Sequence, residues 1–114
     1  MNYGEKNLKK MITEKIIAYM VNLHPEDTGI NTVIWVSHKC PHYKPFIIAL
    51  TSTGKVLISI EDEPKVLQPN RLSDGDDISS VIQWICLNKD ILLDYWSDDF
   101  YPTSQMLQRI KKLS

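Results

Sequence analysis

The sequence predicts an α+β domain in two layers. A three-stranded, mainly antiparallel sheet is packed by a long helix, with an N-terminal and a short C-terminal helix completing the order α-β-β-β-α-α. Three observations carry this expectation. Residues Ile78 to Trp96 form a dense apolar pattern at helical spacing, running straight through the polar step Asn88-Lys89-Asp90. Two apolar runs, Pro45 to Thr51 and Lys55 to Ile60, flank the short turn Ser52-Thr53-Gly54 and read as a hairpin. Near the start, Leu8, Met11, Ile12, Ile16, Met20 and Leu23 recur on one helical face, with Lys9, Lys10, Thr13 and Glu14 off it.

The elements follow in chain order. The first stripe predicts an amphipathic helix from about Glu5 to Leu23. His24-Pro25 ends it, because a residue before proline is pushed out of the helical region, and Glu26 to Gly29 reads as a turn. Thr32 to Ser37 is rich in β-branched and aromatic residues and gives the first strand. Pro41 and Pro45 make the next connection, His38 to Lys44, an irregular loop. After the hairpin, Glu61 to Asp77 is polar and holds Pro64 and Pro69, so it is expected to cross the surface, with Val66 and Leu67 docking briefly. Asp76 or Asp77 would cap the long helix, where a carboxylate suits the helix dipole. Its apolar face is wide. Ile78, Val81, Ile82, Ile85 and Leu92 make one stripe, and Trp84, Leu87, Ile91 and Tyr95 its neighbour. Ser97 to Pro102 breaks the pattern, and Thr103 or Ser104 would cap a last helix whose Met106, Leu107, Ile110 and Leu113 face inward.

Composition bounds the class. A chain of 114 residues is expected to form one domain, with 1–24 as the first helix and 31–113 as the sheet-plus-helices core. Hydrophobic residues at 43% and charged residues at 24% are ordinary for a folded protein. A formal net charge of -1 supplies no global field toward nucleic acid or anionic membrane. The apolar runs fall far short of the roughly 20 residues a membrane span needs. Glu14 and Lys15 interrupt any signal-peptide core. Two cysteines in unlike contexts, Cys40 and Cys86, form no framework, so reduced thiols and a cytoplasmic location are expected.

Val33-Ile34-Trp35-Val36, Phe46-Ile47-Ile48 and Val56 to Ile60 are followed by Trp84-Ile85, Leu87 to Asp90, Leu92-Leu93 and Tyr95-Trp96. Leu107 and Ile110 to Leu113 close the series. In this conjunction the segment from about Asn31 to Leu113, roughly three quarters of the chain, resembles a family of small bacterial proteins of unknown function. The resemblance implies a sheet hairpin followed by a "WI-LN-D-LL-YW" helix. It also implies an accessory role, since related small domains are often encoded beside toxin–antitoxin-like or mobile-element genes. It carries no catalytic motif. The chain adds to the pattern a helix before the sheet and a His/Cys loop.

That loop is one candidate for chemistry. His38, Cys40 and His42 alternate, so an extended backbone would project all three to one side. Imidazole and thiolate suit Zn²⁺ or Cu, but a structural zinc site needs a fourth ligand, and only His24 and Cys86 remain. Cys86 reads more simply as a small core residue of the long helix. A Cys40 nucleophile activated by His38 or His42 lacks an orienting third group. The competing reading is a polar connecting loop, and neither a metal nor another cofactor is expected.

Three acidic groups, Glu61-Asp62-Glu63, Asp74-Asp76-Asp77 and Asp94-Asp98-Asp99, read as solvated loop charge and helix caps. Lys6, Lys9, Lys10 and Lys15, with Arg109, Lys111 and Lys112, would form a modest positive face only if the first and last helices are neighbours. Tyr95, Trp96, Phe100 and Tyr101 crowd the junction of the last two helices. They read either as a corner of the core or, with Trp35 if its strand is an edge, as an aromatic contact surface. An edge strand would also invite homodimerisation. The expected function is therefore a non-enzymatic protein-interaction module. Its rivals are a small metal-binding protein or enzyme using His38, Cys40 and His42, and a weak nucleic-acid binder.

Overall fold

A computed structural model describes residues 20–38, 44–52, 54–68 and 78–113. Eight elements lie among them. They are β1 (Val21–Leu23), α1 (Pro25–Thr28), β2 (Ile34–Val36), β3 (Phe46–Thr51), β4 (Gly54–Ser59), β5 (Val66–Gln68), α2 (Ser79–Ser97) and α3 (Thr103–Arg109). The fold is α+β with an antiparallel sheet, as expected, but the sheet has five strands in the meander order β1-β2-β3-β4-β5.

Both additional strands sit at the edges. β1 pairs Val21 with Val36 and Leu23 with Ile34, so Val21 to Leu23 is strand where the helical stripe was expected to continue. Met20 is in neither helix nor strand, and residues 5–19 of that expected first helix lie outside the described residues. β5 pairs Gln68 with Leu57 and Val66 with Ile58 across a bulge, so the polar excursion returns to the sheet. Ser59 turns it back. Its hydroxyl donates to the Glu61 carboxylate and accepts the Lys65 N–H at 2.9 Å.

The hairpin is tight because Thr51 pairs with Gly54, leaving two residues between them. Gly54 holds a φ of 135°, open to glycine and rarely to other residues. The expected turn after His24 is a single helical turn. His24 accepts the Asp27 and Thr28 N–H groups on its carbonyl and donates its own N–H to Asp27 Oδ2 at 3.0 Å. Gly29 closes that turn in the left-handed conformation, φ 78°.

Strand alternation sorts the sheet into two faces. Leu23, Ile34, Val36, Ile47, Ala49, Val56 and Ile58 face the main core, where Val81, Trp84, Ile85, Ile91, Leu92 and Tyr95 of α2 and Met106 of α3 meet them. The opposite face carries the cross-strand row Asn22, Trp35, Ile48, Leu57 and Gln68. There Ile48 and Leu57 cluster with Met20, Phe46, Trp96 and Trp35. Burial on both faces explains why β3 and β4 read as continuous apolar runs and do not alternate.

The long helix differs from expectation in detail. Leu87 is exposed and Asn88 is buried, because the inward stripe runs through Val81, Trp84, Ile85, Asn88, Ile91, Leu92 and Tyr95. Cys86 is exposed too, its Sγ 4.0 Å from the Asp62 carbonyl, so it is not a core residue. Ile78 stands at the N-cap with no side-chain cap, and the proposed capping residues Asp76 and Asp77 lie outside the described residues. In α3 the N-cap is Pro102, and Leu107 points to solvent. No described helix is long and apolar enough to cross a membrane.

Candidate functional site

The corner between α2 and α3 gathers most of the aromatic residues that the sequence groups together, and it separates them by depth. Tyr95 and Trp96 fall on the buried side of α2, 2% and 5% exposed. Tyr95 joins the main core and Trp96 meets Phe46 edge to face, ring centroids 5.2 Å apart. The helix ends at Ser97, and Asp98 takes an extended backbone. Asp98 then builds the turn twice over. Its carbonyl accepts the Tyr101 N–H at 3.0 Å, and its Oδ1 accepts the Phe100 N–H at 2.9 Å. Phe100 is thrust outward from this turn, 91% exposed.

Six further contacts brace the corner. Tyr95 Oη and Thr103 Oγ1 share a hydrogen bond of 2.8 Å across the turn. The Tyr95 and Tyr101 rings meet edge to face at 6.0 Å. Arg109 Nη1 donates to Tyr101 Oη at 2.8 Å and to Asp94 Oδ2 at 3.0 Å. His38 arrives from the far end of β2, lays its ring on Tyr95 with centroids 4.0 Å apart, and donates from Nε2 to the Tyr101 carbonyl at 3.1 Å. Hydrogen bonds to Tyr101 and Asp94 push the Arg109 guanidinium above its ordinary range, so it stays cationic and answers the Asp94 charge. Asp98 and Asp99 remain exposed beside Phe100. The corner therefore presents an apolar ring directly after two exposed aspartates, on a backbone that Asp98 holds.

The other candidates fall as follows. Trp35 is half-buried on β2, which is interior to the sheet and not an edge, since β1 flanks it. Of the alternating loop trio only His38 is described, and its ring is engaged by the corner. Cys40 and His42 lie outside the described residues, as do Lys6, Lys9, Lys10 and Lys15. Among the described residues no group of three or more His, Cys, Asp or Glu side chains could hold a metal ion. Asp62 pairs with Lys89, whose hydrogen bond and charge hold its carboxyl below the usual range.

Among the described residues two clefts are also formed, the first sharing Arg109 with the corner. One, about 280 Å³, runs along Leu87, Asn88, Asp90, Ile91, Arg109 and Lys111. The other, about 360 Å³, is lined by Gly29, Ile30, Asn31, Thr32 and Ser80. Ligand pockets of roughly 300–1,000 Å³ are lined mainly by apolar and aromatic groups. These two lie at the low end of that size range and are mostly polar-walled, so neither outweighs the corner as a candidate.

Sequence reasoning missed the role of His38 as a brace and the outward position of Phe100 relative to its neighbours. No local pattern carries the second, since Tyr95-Trp96 and Phe100-Tyr101 fall as two adjacent pairs. Comparison of the chain with protein-family models, with curated proteins and with solved structures found no match.

Proposed function

We propose that this chain is a non-enzymatic protein-interaction module and that the α2–α3 corner is its contact surface, with Phe100 as the anchor. The single observation carrying the reading is a phenylalanine 91% exposed on a turn that Asp98 pins and that contacts among Tyr95, Tyr101, Thr103, Arg109 and His38 brace. Lone exposed apolar residues are common and need no explanation. This one differs because the backbone share of the ordering that binding normally costs is already met within the fold.

The magnitudes support a useful anchor. An aromatic side chain buries about 150–250 Å². Fully covering a phenylalanine side chain contributes roughly 1.5–3 kcal/mol of transfer free energy, before the costs of association. Asp98 and Asp99 set the rim, so the partner surface is an apolar pocket edged by lysine or arginine. Tyr101 completes the contact, while Tyr95 and Trp96 hold it from below and Trp35 contributes through the sheet. An accessory role beside toxin–antitoxin-like or mobile-element genes, implied by the resemblance to small bacterial proteins of unknown function, belongs to the same proposal.

The test is site-specific photo-cross-linking in the native cell. A benzophenone side chain in place of Phe100 is expected to give a discrete adduct that the same group in place of Lys55, exposed on the hairpin, does not give. Equal adducts from both positions, or none from either, would overturn the reading.

A further inference from the structure

The sheet has a second apolar face whose cover the described helices do not supply. Phe46, Ile48 and Leu57 are 2%, 0% and 4% exposed there, in one cluster with Met20, Trp96 and Trp35. Among the described residues the helices contribute only Trp96 to that cluster, while the rest of α2 and Met106 of α3 pack on the opposite face. Trp35 Nε1 is buried with no hydrogen-bond partner among the described residues.

We propose that this face is the docking surface for the chain's own amino-terminal stripe, Leu8, Met11, Ile12 and Ile16, which makes the domain three layers deep. Three independent observations meet in this assignment. The stripe ends in Met20 at helical spacing, and Met20 is already buried in the second-face cluster. Met20 leads directly into β1, the strand at one edge of the sheet, so the preceding chain starts where it must begin to cross that face. The lengths also agree. Fifteen helical residues, 5 to 19, would extend about 22 Å, and five strands span about 19 Å from edge to edge.

The chemistry of the segment fits the same arrangement. Its off-stripe positions, Lys9, Lys10, Thr13 and Glu14, are polar and would face solvent. The row it would cover, Trp35, Ile48 and Leu57, runs across three adjacent strands. The assignment is independent of the Phe100 contact and stands or falls without it.

The experiment is nuclear Overhauser spectroscopy on the full chain with methyl-labelled isoleucine and leucine, repeated on a mixture of labelled and unlabelled protein. Cross-peaks between the Ile12 or Ile16 methyls and those of Ile48 or Leu57, arising within one molecule, are expected. Their absence would overturn the proposal, and so would cross-peaks found only between molecules, which would assign the face to a second copy. Variants give a second readout. Ile16→Asp is expected to lower Tm and shift tryptophan emission to the red as Trp35 and Trp96 meet water, whereas Lys10→Asp, on the opposite side of the helix, leaves both unchanged. Equal effects from the two variants would also sink it.

Discussion

Asn88 and Lys111 are joined by a reciprocal pair of hydrogen bonds. Asn88 Nδ2 donates to the Lys111 carbonyl at 3.0 Å, and the Lys111 N–H donates to Asn88 Oδ1 at 2.7 Å. The same Nδ2 also donates to the Trp84 carbonyl one turn back. A buried amide in the middle of α2 therefore holds the extended segment after α3 through main-chain groups alone. Each such bond contributes about 1 kcal/mol net, and stranding a buried partner costs about 1–3 kcal/mol more. Asn88→Leu is expected to destabilise the domain by about 2–4 kcal/mol. Urea titration followed by far-UV circular dichroism checks it, and a loss below 0.5 kcal/mol would contradict this role.

Gly29 holds the other end of that segment. Its neighbour Thr28 accepts the Leu113 N–H at 2.8 Å on its carbonyl, and a Cβ at Gly29 would sit on the Leu113 carbonyl oxygen. The positive φ of 78° adds backbone strain for any other residue. Gly29→Ala is expected to cost at least about 1 kcal/mol from the backbone alone, with more from displacing the segment. Because Gly29 and Asn88 grip the same four residues, their losses should not add. A double-mutant cycle is expected to show a coupling of about 0.5 kcal/mol or more, and strict additivity would mean that the two contacts are separate.

Legibility in the sequence followed the range of the signal. The long helix and the β3–β4 hairpin were readable because each repeats a local period over many residues. β1 and β5 were not, since three residues carry too little alternation and both strands owe their state to partners distant in sequence. Val21 to Leu23 even mimicked the helix, because Leu23 lies three residues beyond Met20. Within α2 the pattern marked Leu87 as apolar and therefore inward, whereas the neighbours that exist around the helix select Asn88. At the corner, chain order alone could group Tyr95, Trp96, Phe100 and Tyr101. Only the turn built on Asp98 decides that Phe100 points out.

The Lys89–Asp62 pair makes a pH prediction with a definite sign. Asp62 has a carboxyl pKa lowered from 3.8 by the Lys89 hydrogen bond and charge. Its stabilising share is present above that ordinary value and lost as pH falls through the lowered one. Lys89 has a pKa raised from 10.5 by Asp62, so its share is full below 10.5 and lost as pH rises through the raised value. Both groups are solvent-exposed, and salt screens such pairs. Lys89→Met is expected to return the Asp62 titration, read by carboxyl carbon NMR, toward 3.8, and high salt should move the wild type the same way. An unchanged titration in Lys89→Met would show that the pair does not persist in solution.

The corner predicts a separation between stability and contact. Phe100 touches little of its own domain, so Phe100→Asp should change unfolding free energy by no more than about 0.5 kcal/mol, as surface substitutions do. Tyr95→Phe removes one hydrogen bond to Thr103 from a braced turn and should cost about 0.5–1.5 kcal/mol. The two variants should then exchange rank in partner capture. Phe100→Asp places a third carboxylate where an apolar anchor stood, directly after Asp98 and Asp99, so co-purification of whatever partner cross-links at position 100 should be lost. Tyr95→Phe keeps the Phe100 ring in place and should retain capture above half the wild-type level. Parallel denaturation and co-purification of both variants decide between the readings. If capture follows stability instead, falling more in Tyr95→Phe than in Phe100→Asp, the corner is scaffold alone and the partner docks elsewhere.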